Sequence, residues 1–150
     1  MKIFIASDHA GLNLKEVLLK YLKDLGHEVI DKGPHHLDLN DDYPDFISLV
    51  AKEVSENKDA KGLIMGGTGQ GEAMIANRFP GVRAAVYYGE PLEMVKATRE
   101  HNDSNILSLG ARFMNEEEAK SAVIRWLDTP FTEEERHKRR IAKIELYPGK

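Results

Sequence analysis

The chain contains no cysteine, and that absence removes three chemistries at once. There is no disulfide framework, no thiolate zinc site and no cysteine nucleophile. A reducing compartment fits such a chain. Long apolar runs are missing as well, since none approaches the ~18 residues that a membrane-spanning helix needs. The opening MKIFIASDHAG is too short in its apolar part for a secretory leader. The cytoplasm is therefore the expected location, with no membrane partner. An excess of positive charge is also lacking. Lys and Arg number 21 against 25 Asp and Glu, a formal net charge of −4, so no global field draws in nucleic acid. Internal repeats, low-complexity tracts and linker-like stretches are absent too, and 150 residues suit one core rather than two.

What is present is the composition of a packed domain. Apolar residues make up 41% of the chain, enough to bury a core, so disorder is not expected. Residues 2–7, KIFIAS, read as a first strand bounded by Asp8 and Gly11. Leu14, Val17, Leu18, Tyr21, Leu22 and Leu25 then recur at helical spacing up to a stop at Gly26. The alternation repeats four more times. HEVIDKG precedes YPDFISLVAKEVSEN, KGLIMGG precedes GEAMIANRF, GVRAAVYYG precedes EPLEMVKATREHN, and SNILSLGA precedes NEEEAKSAVIRWLDT. The polar stretch from Pro34 to Asp42 is a loop of unusual length. A last helix is expected from Thr132, with Glu135 at capping-box spacing. Strands apolar on both faces, alternating with helices, predict a three-layer α/β/α Rossmann-like fold across residues 1–150. It has a five-stranded parallel sheet and a C-terminal extension helix within residues 131–150.

In open parallel sheets, ligands bind beyond the carboxyl ends of the strands. Asp8 and His9 follow the first strand, GGTGQGE (66–72) the third, and Arg112 the fifth. His101 and Asn102 are the exception, falling in the turn that leads into the fifth strand, and spacing alone does not bring them to that crevice. The glycine loop lets several backbone N–H groups converge on one anionic atom, and the following helix adds its positive end. That is the physics of a phosphate cradle or of an oxyanion hole. The bland alternative is a tight strand-to-helix turn. The loop lacks the Lys-Ser/Thr pair of a Walker sequence and the G-x-G-x-x-G spacing.

Glu72 closes the loop in the first turn of its helix. It is either a surface acid complementing the helix dipole or, beside an anion hole, a general base. Together they make the minimal kit for removing a proton from the carbon next to a carbonyl. Asp8 could merely cap the next helix, and His101 could merely favour a helix end. A metal set of Asp8, His9 and His101 is a weaker reading, because no paired ligand spacing supports it. On the last helix Arg136, Arg139 and Arg140 can share a face and grip a phosphate, or form a solvated basic face. A nucleic-acid patch there would want interleaved aromatics, which are missing.

Several motifs together carry a resemblance over nearly the whole chain. SDHAG (7–11), DYP (42–44), GGTGQGE (66–72), AN (76–77), REHND (99–103), LGAR (109–112) and RHKRR (136–140) are similar in kind and order to the type B ribose-5-phosphate isomerase family. That family also includes galactose-6-phosphate isomerase subunits and enzymes acting on allose 6-phosphate. The resemblance implies interconversion of an aldose and a ketose phosphate through a cis-enediolate, with no metal and no cofactor. It implies that Glu72 moves the proton, that His101 opens the furanose ring and that Asp8 handles protons at sugar oxygens. Gly67, Thr68, Gly69, Gln70 and Gly71 would line the anion hole, with Thr68 adding a hydroxyl. His9, Arg112, Arg136 and Arg140 match phosphate-binding positions, and Asn102 a sugar contact. Tyr43 and the 34–45 loop would set pocket length. A branch of the family carries a cysteine base where Gly66 stands here, and the other a glutamate at the Glu72 position, so this chain resembles the glutamate branch.

The implied partner is a small sugar phosphate. The implied assembly is a homodimer, sometimes a tetramer, with sites shared between subunits, so that the last helix and His101 serve a neighbour's crevice. Two other readings remain at this stage: a hexose-6-phosphate isomerase, and a non-catalytic phosphosugar-binding module that would need neither Glu72 nor His101.

Overall fold

The computed structural model describes residues 1–147, so the end of the 131–150 tail expected above, residues 148–150, lies outside the described residues. In chain order the elements are β1 (Lys2–Ser7), α1 (Leu12–Asp24), β2 (Glu28–Asp31), α2 (Tyr43–Glu56), β3 (Lys61–Gly66) and α3 (Gln70–Ala76). Then follow β4 (Ala84–Tyr87), α4 (Glu93–Asn102), β5 (Ile106–Gly110), α5 (Glu116–Asp128) and α6 (Glu135–Ile144). A single 3₁₀ turn, Ala111–Phe113, follows β5. All strand pairs are parallel, in the order β2-β1-β3-β5-β4. The expected five-stranded α/β fold is thus the one observed.

Alternation along the strands builds the two helical layers. Ile3, Ile5, Leu63, Met65, Leu107 and Leu109 pack with Leu14, Leu18 and Leu22 of α1, Val95 of α4, and Val123 and Trp126 of α5. Phe4, Ala6, Ile64 and Ile106 face the other way, onto Ile47, Val50, Ala51 and Val54 of α2 and Ala76 of α3. Each fully buried aliphatic side chain contributes roughly 1.5–3 kcal/mol. Because both faces are covered, both are predominantly apolar.

Helix ends are written partly as expected and partly not. Gly26, with φ +90°, ends α1. Its N–H donates to the Lys23 carbonyl, and the His27 N–H donates to that of Leu22, the paired bonds of a Schellman stop. Pro44 stands in the first turn of α2. The capping box expected at Thr132 does not form. The Thr132 hydroxyl donates instead to the Glu100 carbonyl at 2.8 Å, and α6 starts three residues later with no side-chain cap. A real capping box sits on α5, where Asn115 and Glu118 bond each other's backbone N–H.

The long loop after β2 is anchored by a buried cation. Lys15 of α1 is fully buried, and its Nζ donates to both Asp31 oxygens at 2.8 and 2.9 Å and to the Pro34 carbonyl at 2.5 Å. Asp31 also accepts from the Gly33 N–H. Removing one member of such a buried pair strands the other charge. Lys15→Met is therefore expected to lower unfolding free energy by about 3–5 kcal/mol, read as a lower urea midpoint with an unchanged slope. A midpoint equal to the parent's would show that the pair does not anchor the loop.

Candidate active site

The strand order sets the place. From β1 the chain steps outward to β2, whereas from β3 it steps the other way, so the carboxyl ends of β1 and β3 flank a switch point. Asp8 leaves the end of β1, and its backbone N–H donates to the Met65 carbonyl of β3. Its Oδ1 accepts from the Gly11 N–H at 3.0 Å, so it closes the turn rather than capping α1, whose N-terminus has no side-chain cap.

The glycine loop joins β3 to α3 at the same place. Gly69 takes φ +76° and lies so close to β5 that a β-carbon there would meet the Leu109 carbonyl carbon at 3.0 Å. Ser108 Oγ, fully buried, donates to the Gly69 carbonyl at 2.6 Å, and the Gln70 N–H donates to Thr68 Oγ1 at 3.2 Å. These bonds hold the turn in the shape that glycine permits. Arg112 lies over Gly67, with Nη1 3.0 Å from where a β-carbon would stand, and the Arg112 N–H donates to the Gly67 carbonyl at 3.1 Å. Tyr43, first in α2, covers Gly71 in the same way, its hydroxyl 2.6 Å from the missing β-carbon.

Glu72 is the more deeply buried of the two buried acids in this group, 4% exposed against 8% for Asp8. Its carboxylate occupies the space that a side chain on Gly66 would take, since a β-carbon at 66 would fall on the Glu72 Oε1 position. Burial pushes the Glu72 carboxyl above the ordinary carboxylate range. Its own backbone N–H acts in the opposite sense, and the nearby Asp8 charge adds to the rise.

His9 is held from the far loop. Its Nδ1 lies 2.7 Å from Asp41 Oδ1, and its backbone N–H donates to the same oxygen at 3.3 Å. The Asp41 hydrogen bond raises the His9 pKa, burial opposes it, the charges of Asp8 and Asp41 add to the rise, and Arg112 acts against it. Asp8, His9 and Asp41 bring possible cation-ligating atoms within 4.8 Å of one another, but Asp41 already engages His9 Nδ1. The weaker set of Asp8, His9 and His101 does not assemble, because His101 lies elsewhere.

The chain divides its candidate residues between two ends of the sheet. Asp8, His9, Tyr43, Gly67, Thr68, Gly69, Gln70, Gly71, Glu72 and Arg112 lie at the carboxyl end. His101 and Asn102 close α4 and lead into the amino end of β5, about 13 Å of strand away from Gly110. There the His101 ring stacks on His137 of α6, centroids 4.6 Å apart and planes at 15°. Burial lowers the His137 pKa, and Arg136 and His101 lower it further. Arg136, Arg139 and Arg140 are exposed on α6, and Arg136 Nε pairs with Glu134 at 2.8 Å. This second group is held by Arg99, whose guanidinium donates to Asp103, Ser104 and Thr129, and by Arg83, which donates to the Asn102 carbonyl. Sequence reading missed Asp41 and Ser108. Asp41 stands beside the DYP motif, but neither residue has a local pattern that marks its partner.

Comparison with known proteins gives a consistent result. The family model described as Ribose/Galactose Isomerase matches residues 3–144. A protein of Mycoplasma genitalium named probable ribose-5-phosphate isomerase B is 44% identical over 97% of this chain and 94% of its own length. Ribose-5-phosphate isomerase B of Mycobacterium tuberculosis (strain H37Rv) is 36% identical over 98% of this chain and 90% of its own. Among solved structures, the Mycoplasma genitalium ribose-5-phosphate isomerase B with bound ribulose-5-phosphate superposes with a TM-score of 0.93. It is 42% identical and covers 97% of this chain and 95% of its own. The Clostridium thermocellum enzyme gives 0.91 at 44% identity, covering 97% and 96%.

The raised Glu72 pKa makes a stability prediction. The folded protein holds a proton there more tightly than the unfolded chain, so stability falls as pH rises from the ordinary carboxylate pKa through the folded one. Above that window the folded state carries a buried charge. Glu72→Gln is expected to be more stable than the parent at neutral pH, with the difference vanishing in acid. Urea midpoints measured across pH check it, and a variant less stable than the parent at neutral pH would contradict it.

Proposed function

This chain belongs to the ribose/galactose isomerase family, and from that premise we propose that it interconverts D-ribose 5-phosphate and D-ribulose 5-phosphate through a cis-enediolate. The observation that carries the reading is the Glu72 carboxylate, buried in the space left by Gly66 and flanked by the glycine loop and Asp8. A carbon acid next to a carbonyl is too weak for a carboxylate alone. Backbone donors aimed at the developing enediolate oxygen lower the barrier, and one such donor is worth roughly 3–4 kcal/mol. In this reading the amides between Gly67 and Gly71 supply those donors, apart from that of Gln70, which donates to Thr68 Oγ1, with the Thr68 hydroxyl beside them. A carboxyl pKa raised by burial gives Glu72 a stronger basicity than a surface acid, so it takes a proton from C2 and returns it to C1.

The rest of the site positions the substrate. Asp8 handles protons at the sugar oxygens, and Tyr43 closes the pocket over Gly71. His9 and Arg112 hold the phosphate, which fixes the reacting carbons over Glu72. His101, Asn102, Arg136 and Arg140 lie at the other end of the same chain. They serve by entering the crevice of a second copy, so the site is completed in a homodimer, with His101 opening the ring. Neither metal nor cofactor takes part. The numerous relatives named for ribose 5-phosphate favour that substrate over hexose phosphates.

An isomerase assay with ribose 5-phosphate is expected to show turnover that a chelator leaves unchanged. Glu72→Gln is expected to bind substrate and lose at least about 100-fold in kcat, the scale of a positioned base. A variant that keeps a tenth of the parent rate would exclude Glu72 as the base. Sharing of the site has its own readout. Glu72→Gln and His101→Asn homodimers are each expected to be nearly inactive, while reassembled equal mixtures should regain about a quarter of parental activity, since half the dimers then carry one intact site. Mixtures as inactive as their components would place both groups in one chain's site.

A further inference from the structure

The long loop between β2 and α2 delivers one residue to the phosphate side of the crevice, and that residue has no assigned role. Asp41 is almost wholly buried, its side chain 5% exposed. One oxygen, Oδ1, receives both the His9 ring nitrogen at 2.7 Å and the His9 backbone N–H at 3.3 Å. The other, Oδ2, is buried without a hydrogen-bond partner. A buried carboxylate with an unpaired oxygen is costly unless a cation lies against it. The loop cannot easily relax away from that position. Lys15 ties its start to Asp31 and Pro34, and the Asp41 N–H donates to the Asp38 carbonyl.

We propose that Asp41 is a positioning residue: its carboxylate fixes His9 with the proton on Nδ1, leaving Nε2 as the nitrogen that meets the substrate phosphate. The proposal rests on the reading that His9 is a phosphate contact. A carboxylate can only accept, so the nitrogen facing Asp41 must carry hydrogen. Neutral His9 would then present a bare Nε2 lone pair to an anion, which repels. Protonated His9 donates from both nitrogens at once, one to Asp41 and one to phosphate. The groups around the ring are Asp8 and Asp41, which favour the cation, and Arg112, which opposes it. Asp41 outweighs Arg112 by direct contact, so His9 can stay cationic beside the permanently charged Arg112 and the two form a two-cation clamp.

The sign follows from the raised pKa. Phosphate binding is strong while His9 is protonated and weakens as pH rises through its folded value. Asp41→Asn keeps an acceptor of similar shape and removes the charge. In this variant the His9 pKa, followed by imidazole ¹⁵N NMR on the full-length protein, is expected to fall. The pH at which KM for ribose 5-phosphate begins to climb should fall with it. Around neutrality KM should rise about tenfold, the scale of one charge-assisted contact, while kcat changes little. Asp41→Glu should recover part of the loss, and Asp41→Asn should add nothing in a His9→Gln background. An unchanged His9 pKa, or a loss in kcat with KM untouched, overturns the proposal. The parent protein tests it without any variant: neutral His9 found with its proton on Nε2 refutes it. If His9→Gln leaves KM unchanged, His9 is not the phosphate contact. The NMR titration then still decides whether Asp41 sets the state of the ring.

Discussion

A carboxylate held out of water at the junction of two parallel strands is the constraint around which this structure is arranged. Glu72 sits where β3 gives way to α3, and the space it fills exists only because residue 66 has no side chain. An acid at that position costs the folded state stability near neutrality, since burial disfavours its charge. The fold carries that cost at the one point where the sheet order opens a crevice. Close contacts fix the backbone around it. Ser108 fastens the Gly69 carbonyl, Tyr43 covers Gly71, and Arg112 lies across Gly67. A rigid frame with a poorly solvated acid at its edge is the arrangement in which electrostatic effects are largest.

The contact between positions 66 and 72 also accounts for a pattern in the family resemblance. In the proposed mechanism, the base at this spot can come from the end of β3 or from the first turn of α3. Both cannot fit, because a side chain on residue 66 would occupy the volume of the Glu72 carboxylate. Glycine at 66 is thus the steric condition for a glutamate at 72, and the same geometry excludes a cysteine at position 66. Two different residue types at two sequence positions can answer one spatial requirement.

How much of this was legible beforehand depended on whether the signal was local. Alternating strands and amphipathic helices gave the α/β architecture, because their periodicity reflects burial on both sheet faces. The glycine loop and Glu72 were visible because they are contiguous and chemically odd. Asp41 was not singled out, although it stands beside the DYP motif, since its partner His9 is 32 residues distant. Thr132 and Glu135 had the spacing of a cap, but the Thr132 hydroxyl found the Glu100 carbonyl of another helix first. Asn115 and Glu118, with the same kind of spacing, do form one. Local patterns state what a segment can do alone, and a tertiary partner decides between equals. Strand order was likewise unreadable, because each crossover allows more than one landing place.

The distribution of unmet hydrogen-bonding groups links the two ends of the chain. Among the described residues, the buried side-chain N and O atoms without a hydrogen-bond partner are Ser7 Oγ, Asp41 Oδ2 and His137 Nε2. Ser7 precedes Asp8, Asp41 holds His9, and His137 stacks on His101. A native core satisfies nearly all such groups, so the exceptions mark places where something other than self-consistency shaped the sequence. They fall beside candidate residues at opposite ends of the sheet, and not in the helix layers between. A binding module that only clamped a phosphate would need the arginines and the glycine loop. It would gain nothing from a buried acid at 72 or from paired histidines at the far end. The costs are laid out as the proposed isomerase, with its site shared between two copies of the chain, would require.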